Sequence, residues 1–216
     1  ITSIGENAFY NCKSLTKIII PSSVKSIGKN AFHDSSLLSK IIIPFSLTSI
    51  EEGVFSKCDY VKSITIPSTI ISIGKKAFFH CSDLKKINIP SSITSIEEGV
   101  FSGCYNLDNI TIPSSVNSIR KNAFSDCRSL KQITIPSSIT SIEEGTFSGC
   151  SKLKRFTIPL SVTSIEEGAF SICSELERIT IPSSVTSIKK NVFYYCKSLK
   201  QITIPSSITS IEEGTF

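Results

Sequence analysis

Apolar residues recur along this chain at fixed offsets within a unit of 23 residues. One unit carries Leu84, Ile87, Ile89, Ile93, Ile96 and Phe101, and another carries Leu176, Ile179, Ile181, Val185, Ile188 and Phe193. The segment Leu-x-x-Ile-x-Ile ends on a period of two. Ile133 and Ile135 therefore face one way and Thr134 the other, which predicts a short strand. Pro136 closes it, because proline cannot donate to a ladder. All nine prolines, from Pro21 to Pro205, fall on the same 23-residue lattice. So strict an interval predicts a repeat solenoid in which each coil touches only its neighbours. Its 216 residues hold a little over nine coils, read as one solenoid over 1–216 with one continuous core.

The polar positions are columnar too. Hydroxyls follow the proline in two columns, Ser23 to Ser207 and Ser3 to Ser210, and can satisfy backbone groups from coil to coil. A further column reads Asn7, Asn30, Gly53, Lys76, Gly99, Asn122, Gly145, Gly168, Asn191 and Gly214. Asn and Gly share tolerance of a left-handed backbone, which predicts positive φ there. A helix N-cap for the next turn is the competing reading, and Lys76 marks a coil that is strained or turned differently. Phenylalanine plugs the core in ten consecutive units, Phe9 to Phe216.

Eight cysteines occupy one column, with Ser35 in the vacant slot. Stacked equivalents lie about 4.8 Å apart with parallel side chains, whereas a disulfide needs converging Cβ atoms about 3.8 Å apart. Free buried thiols are expected. His33 and His80 occupy different repeat positions, which argues against a shared metal site. No phosphate loop, nucleophile elbow or Cys/His pair appears. So uniform a stack lacks the irregular pocket that catalysis needs, so neither an enzyme nor a cofactor is expected. No apolar run approaches the length of a membrane span.

Charge adds a surface to this frame. The formal net charge is +5, but the strand's outward positions carry Lys17, Lys40, Lys62, Lys85, Lys86, Lys131, Lys154, Arg155, Arg178 and Lys200 against only Asp108 and Glu177. Spaced cations beside a threonine row suit a protein patch or an acidic glycan. The alternative is lysine that merely keeps an exposed sheet soluble. Aromatics are expected to be absent from the basic face, leaving base stacking no platform, which argues against specific nucleic-acid binding. Ile19, Ile42 and Phe45 break the polar rule, with Ile71, Phe79, Tyr10 and Tyr60 as related substitutions. They form a candidate apolar contact patch, or the seat of a preceding coil or domain. A second charged column, Glu6, Lys29, Glu52, Lys75, Glu98, Lys121, Glu144, Glu167, Lys190, Glu213, alternates in sign except between Glu144 and Glu167. It implies a 46-residue duplication unit and an ion-pair ladder, or else an incidental solvated edge.

The pattern Cys-x-x-Leu-x-x-Ile-x-Ile-Pro, continued by Val/Ile-x-x-Ile and then Ala/Val/Thr-Phe, resembles the BspA-type leucine-rich repeat over the whole chain. The resemblance implies a right-handed coil stack with a parallel sheet on the concave face and turns or 3₁₀ segments elsewhere. It also implies adhesion or protein binding at a cell surface or in secreted form. The pattern runs into both ends without capping coils, which reads as a fragment of a longer protein. Uncapped ends also leave open a structural spacer, or coils that self-associate end to end as a fibre element.

Overall fold

The chain winds into a parallel β-solenoid of about nine coils with no helix, in a computed structural model that describes residues 1–216. The predicted strands form as β2 (Lys17–Ile19), β4 (Lys40–Ile42), β6 (Ser63–Thr65), β8 (Lys86–Asn88), β10 (Asn109–Thr111), β13 (Arg155–Thr157), β15 (Arg178–Thr180) and β17 (Gln201–Thr203). Each points its middle residue inward and its flanking residues outward, as period two requires. Pairing is parallel and shifts by one unit per coil, Lys17 beside Lys40 and Arg155 beside Arg178.

Nine two-residue strands, all but the first of them following a proline, build a second ladder: β1 (Ser3–Ile4), β3 (Ser26–Ile27), β5 (Ser49–Ile50), β7 (Ser72–Ile73), β9 (Ser95–Ile96), β11 (Ser118–Ile119), β12 (Ser141–Ile142), β14 (Ser164–Ile165) and β16 (Ser187–Ile188). Two residues are too few for an alternation to declare itself. The remaining segments are turns, and none is 3₁₀.

Two tight turns carry the chain from the short strand back to the long one. Ala31 N–H donates to Gly28 O (3.3 Å) and Ser35 N–H to Phe32 O (3.1 Å). The third residue of each turn has positive φ, 53° at Asn30 and 58° at Asp34, as in a type II turn. Amides at Asn30, Phe32 and Asp34 are then free to donate along the stack to Glu52, Val54 and Ser56 of the next coil. The Asn/Gly column is left-handed at every member, and Lys76 (φ 54°) conforms. Its coil is strained rather than differently turned. The N-cap reading falls, since no helix follows. Glycine follows asparagine at Gly53, Gly145 and Gly214, where a Cβ would collide with the side-chain oxygen of Asn30, Asn122 and Asn191 from the preceding coil.

A second left-handed column runs through Asn11, Asp34, Lys57, His80, Gly103, Asp126, Gly149, Ile172 and Tyr195. Its Asn, Asp and Gly members signal it, while Lys57, His80, Ile172 and Tyr195 obscure it. Ile172, β-branched and 49% exposed at φ 61°, is the most strained of these. Replacing it with glycine is expected to raise stability by about 1 kcal/mol, measured by urea denaturation. A loss of stability contradicts the strain argument.

Sixty buried residues form one apolar cluster. Phenylalanine rings stack through it from Phe9 to Phe216, neighbouring centroids 5.1 to 5.9 Å apart. The first hydroxyl column is a true ladder. Ser115 donates to Ile93 O (2.7 Å), Ser138 to Val116 O (2.6 Å) and Ser161 to Ile139 O (2.6 Å). Thr69 and Ser184, in the same column, have buried oxygens without a partner. The second column makes no such bonds between coils. Ser49 and Ser95 instead donate to Glu51 and Glu97 two residues on.

All eight cysteines are free thiols, and their column has a bonding role. Cys81 donates to Phe55 O (3.1 Å), Cys104 to Phe78 O (3.2 Å) and Cys127 to Phe101 O (3.2 Å). Ser35 makes the equivalent bond to Phe9 O at 2.8 Å. The column is therefore defined by a small donor, and the serine was the signal for it.

Candidate partner-binding face

All ten predicted cations are exposed: Lys17, Lys40, Lys86, Arg155 and Arg178 open three-residue strands, Lys62, Lys85, Lys154 and Lys200 stand one residue before a strand, and Lys131 precedes the bridge at Gln132. Several stack like upon like. Lys17 pairs in register with Lys40, and Arg155 with Arg178. Lys62 and Lys85 occupy equivalent positions in coils joined by the Lys85 N–H to Lys62 O bond. Like charges directly opposite on adjacent strands oppose pairing. Only two of the ten find an acid: Lys154 meets Glu175 at 3.9 Å and Lys200 meets Glu177 at 3.8 Å. The other eight have no ion-pair partner. Asp108 divides the face into Lys17, Lys40, Lys62, Lys85, Lys86 on one side and Lys131, Lys154, Arg155, Arg178, Lys200 on the other.

The sheet is not continuous. The strand ladder opens between β4 and β6 and again around Gln132–Thr134, where a single bridge joins Asn109 to Gln132. On the far side of that second opening Phe156 takes the place of isoleucine, its ring packed 4.9 Å from both Phe147 and Phe170.

The first opening holds most of the apolar patch. A cavity of about 840 Å³ is lined there by Ile42, Phe45, Tyr60, Lys17, Lys40 and Lys62 among others. Ile42 is 68% exposed and Phe45 73%, and Ile19 lies beside Ile42 in register. The related substitutions scatter. Tyr10 stacks on His33, Phe79 packs against His80, and Ile71 is exposed outside the cavity. The expectation of a basic face without aromatics therefore fails here, because Phe45 and Tyr60 line the same cavity as Lys17, Lys40 and Lys62.

The alternating charges sit on the turn after the short strands and pair in twos, not as a continuous ladder. Lys29 meets Glu52 (3.5 Å), Lys75 meets Glu98 (3.4 Å), Lys121 meets Glu144 (2.6 Å) and Lys190 meets Glu167 (3.3 Å). Where alternation fails, Glu143, Glu144, Glu166 and Glu167 lie between Arg120–Lys121 and Lys189–Lys190. All are solvent-exposed in part, so each pair contributes about 0–1 kcal/mol.

No curated protein matches the chain. Solved structures do. A leucine-rich repeat protein from Bacteroides ovatus is 32% identical with a TM-score of 0.76 over 94% of this chain. The match spans 58% of the Bacteroides protein, so this chain covers little more than half of that relative's length. A leucine rich cell surface protein from Faecalibacterium prausnitzii is 31% identical, with a TM-score of 0.55 over 94% of this chain and 76% of its own. A leucine-rich repeat protein from Eubacterium ventriosum is 26% identical, with a TM-score of 0.66 over 100% of this chain and 79% of its own. The pattern described as BspA type Leucine rich repeat region matches in 6 copies over residues 1–108 and 94–216. With its 23-residue coils, proline-ended strands and phenylalanine spine, the chain belongs to the BspA-type leucine-rich repeat family.

Proposed function

We propose that the chain is a non-enzymatic interaction module that binds an acidic partner, a protein or an acidic glycan, through its strand face at a cell surface or in secreted form. One observation carries this reading: eight exposed cations, several stacked on like charge at strand spacing, make no ion pair with any acid of the chain. Such an arrangement costs free energy in the free protein, and an anionic partner relieves it. The location rests on the likeness to a protein described as a cell surface protein.

The test is retention of the chain on immobilised heparin and on poly-glutamate at about 0.15 M salt. Reversal of Lys85, Lys86, Lys154 and Arg155 to glutamate is expected to weaken both by about a hundredfold, since each lost contact is worth about 0.5–1 kcal/mol. Equal retention of the reversed and parent chains would remove the basis of the proposal.

A further inference from the structure

Resting on that reading, we infer that the partner is a polypeptide whose acidic stretch carries a large apolar side chain, and that this side chain docks in the opening between β4 and β6. The electrostatic face alone does not distinguish protein from glycan. The cavity does. Ile42, Phe45 and Tyr60 give it an apolar wall, and Lys17, Lys40 and Lys62 rim it without a single acid among its lining residues. None of the three lysines has an ion-pair partner. A sulfated or sialylated glycan satisfies the lysines and can lay a C–H face on an aromatic ring, but it has no bulky apolar group to fill the space against Ile42 and Phe45. An acidic peptide with one phenylalanine or leucine satisfies both.

Two features make the site more than an incidental patch. Most other coils hold Thr or Asn at the position of Ile42 and Ser at the position of Phe45, so its apolar groups depart from the repeat at a surface where nothing in the fold needs them. The departure also coincides with the opening in the strand ladder. Lys62 N–H and Ser39 O, whose equivalents bond in the coils on either side (Ser39 N–H to Thr16 O, Lys85 N–H to Lys62 O), are not bonded to each other. Backbone polar groups therefore meet the groove floor, and peptides use such groups for affinity. An apolar anchor ringed by polar contacts is the usual energetic centre of a protein interface.

The probes are fluorescent acidic nonapeptides, one with a central phenylalanine and one with serine in its place, read by anisotropy. The phenylalanine peptide is expected to bind about tenfold more tightly than the serine peptide. The double variant Ile42→Thr with Phe45→Ser takes consensus residues at exposed positions and should keep the parent melting temperature. It is expected to abolish the tenfold preference while leaving heparin retention unchanged. Charge reversal at Lys85, Lys86, Lys154 and Arg155 removes binding of both peptides if the basic face is the recognition surface, so failure of that reading is seen separately. Equal affinity of the two peptides, or a preference that survives the double variant, overturns the inference. So does displacement of the phenylalanine peptide by dodecanoate at lower concentration than by unlabelled peptide, which assigns the groove to an anionic amphiphile.

Discussion

Truncating Phe101 to alanine is expected to cost about 3–5 kcal/mol, near the upper end for a single core substitution. The ring is fully buried, stacked 5.8 Å from Phe78 and 5.5 Å from Phe124. Removing it takes away the contact on both sides and leaves a void that neighbouring coils cannot close, because their spacing is fixed by strand pairing. A solenoid makes the consequence sharper than in a globular core. Each coil is stabilised mainly by the two interfaces it shares with its neighbours, so a central defect weakens the link between two half-stacks. Urea denaturation followed by circular dichroism should show an earlier and broader transition. Phe9→Ala, at a half-buried ring stacked on one side only, should cost markedly less. A change below about 1 kcal/mol at Phe101 contradicts the view that the ring stack is the spine of the fold.

The parallel long strands, the proline boundaries, the inward isoleucines and the first left-handed column were legible because each recurs in nearly every unit with the same chemical reason. Column logic failed where one geometric demand is met by unlike residues. The second left-handed column holds Asn, Asp and Gly, but also Lys57, His80, Ile172 and Tyr195; Lys57, His80 and Ile172 conform because their amides donate along the stack to Phe79, Ser102 and Tyr194, overriding local preference. The short Ser-Ile strands were invisible for another reason, their length. At the candidate face, the sequence placed the ten cations and Ile42 and Phe45. It did not reveal the two openings of the ladder, which depend on how adjacent coils seat against one another. Nor did it show that Phe45, from the loop after β4, and Tyr60, from the loop before β6, close on the same cavity.

The thiol column leads to the second large effect, a steep loss of stability in alkali. Six cysteines are buried, and burial pushes their thiols up: Cys81 from 9.0 to about 12, with the charge of Asp59 adding to it. Half-buried Cys196 rises to about 11 for the same reason. Cys58, Cys104, Cys127, Cys150 and Cys173 are raised in the same direction, desolvation leading in each. A group whose pKa is raised on folding contributes stability fully present below the unfolded value and lost as pH climbs through the folded one. The window therefore opens near pH 9 and extends towards 12. Within it each buried thiol removes about 1.4 kcal/mol per pH unit, and six together remove about 8 kcal/mol per unit, comparable with the whole stability of a domain. Thermal unfolding at pH 8 and pH 10 is the measurement. A collapse of the midpoint over that interval is expected. Lysine and tyrosine titrate in the same range, so the comparison is a chain with Cys58, Cys81, Cys104, Cys127, Cys150 and Cys173 replaced by serine. Ser35 already fills this column and donates to Phe9 O without a titrating group, so the variant should fold and its midpoint should change far less between the two pH values. Parallel pH profiles for the two chains would show that the thiols are not what makes this solenoid fragile in base.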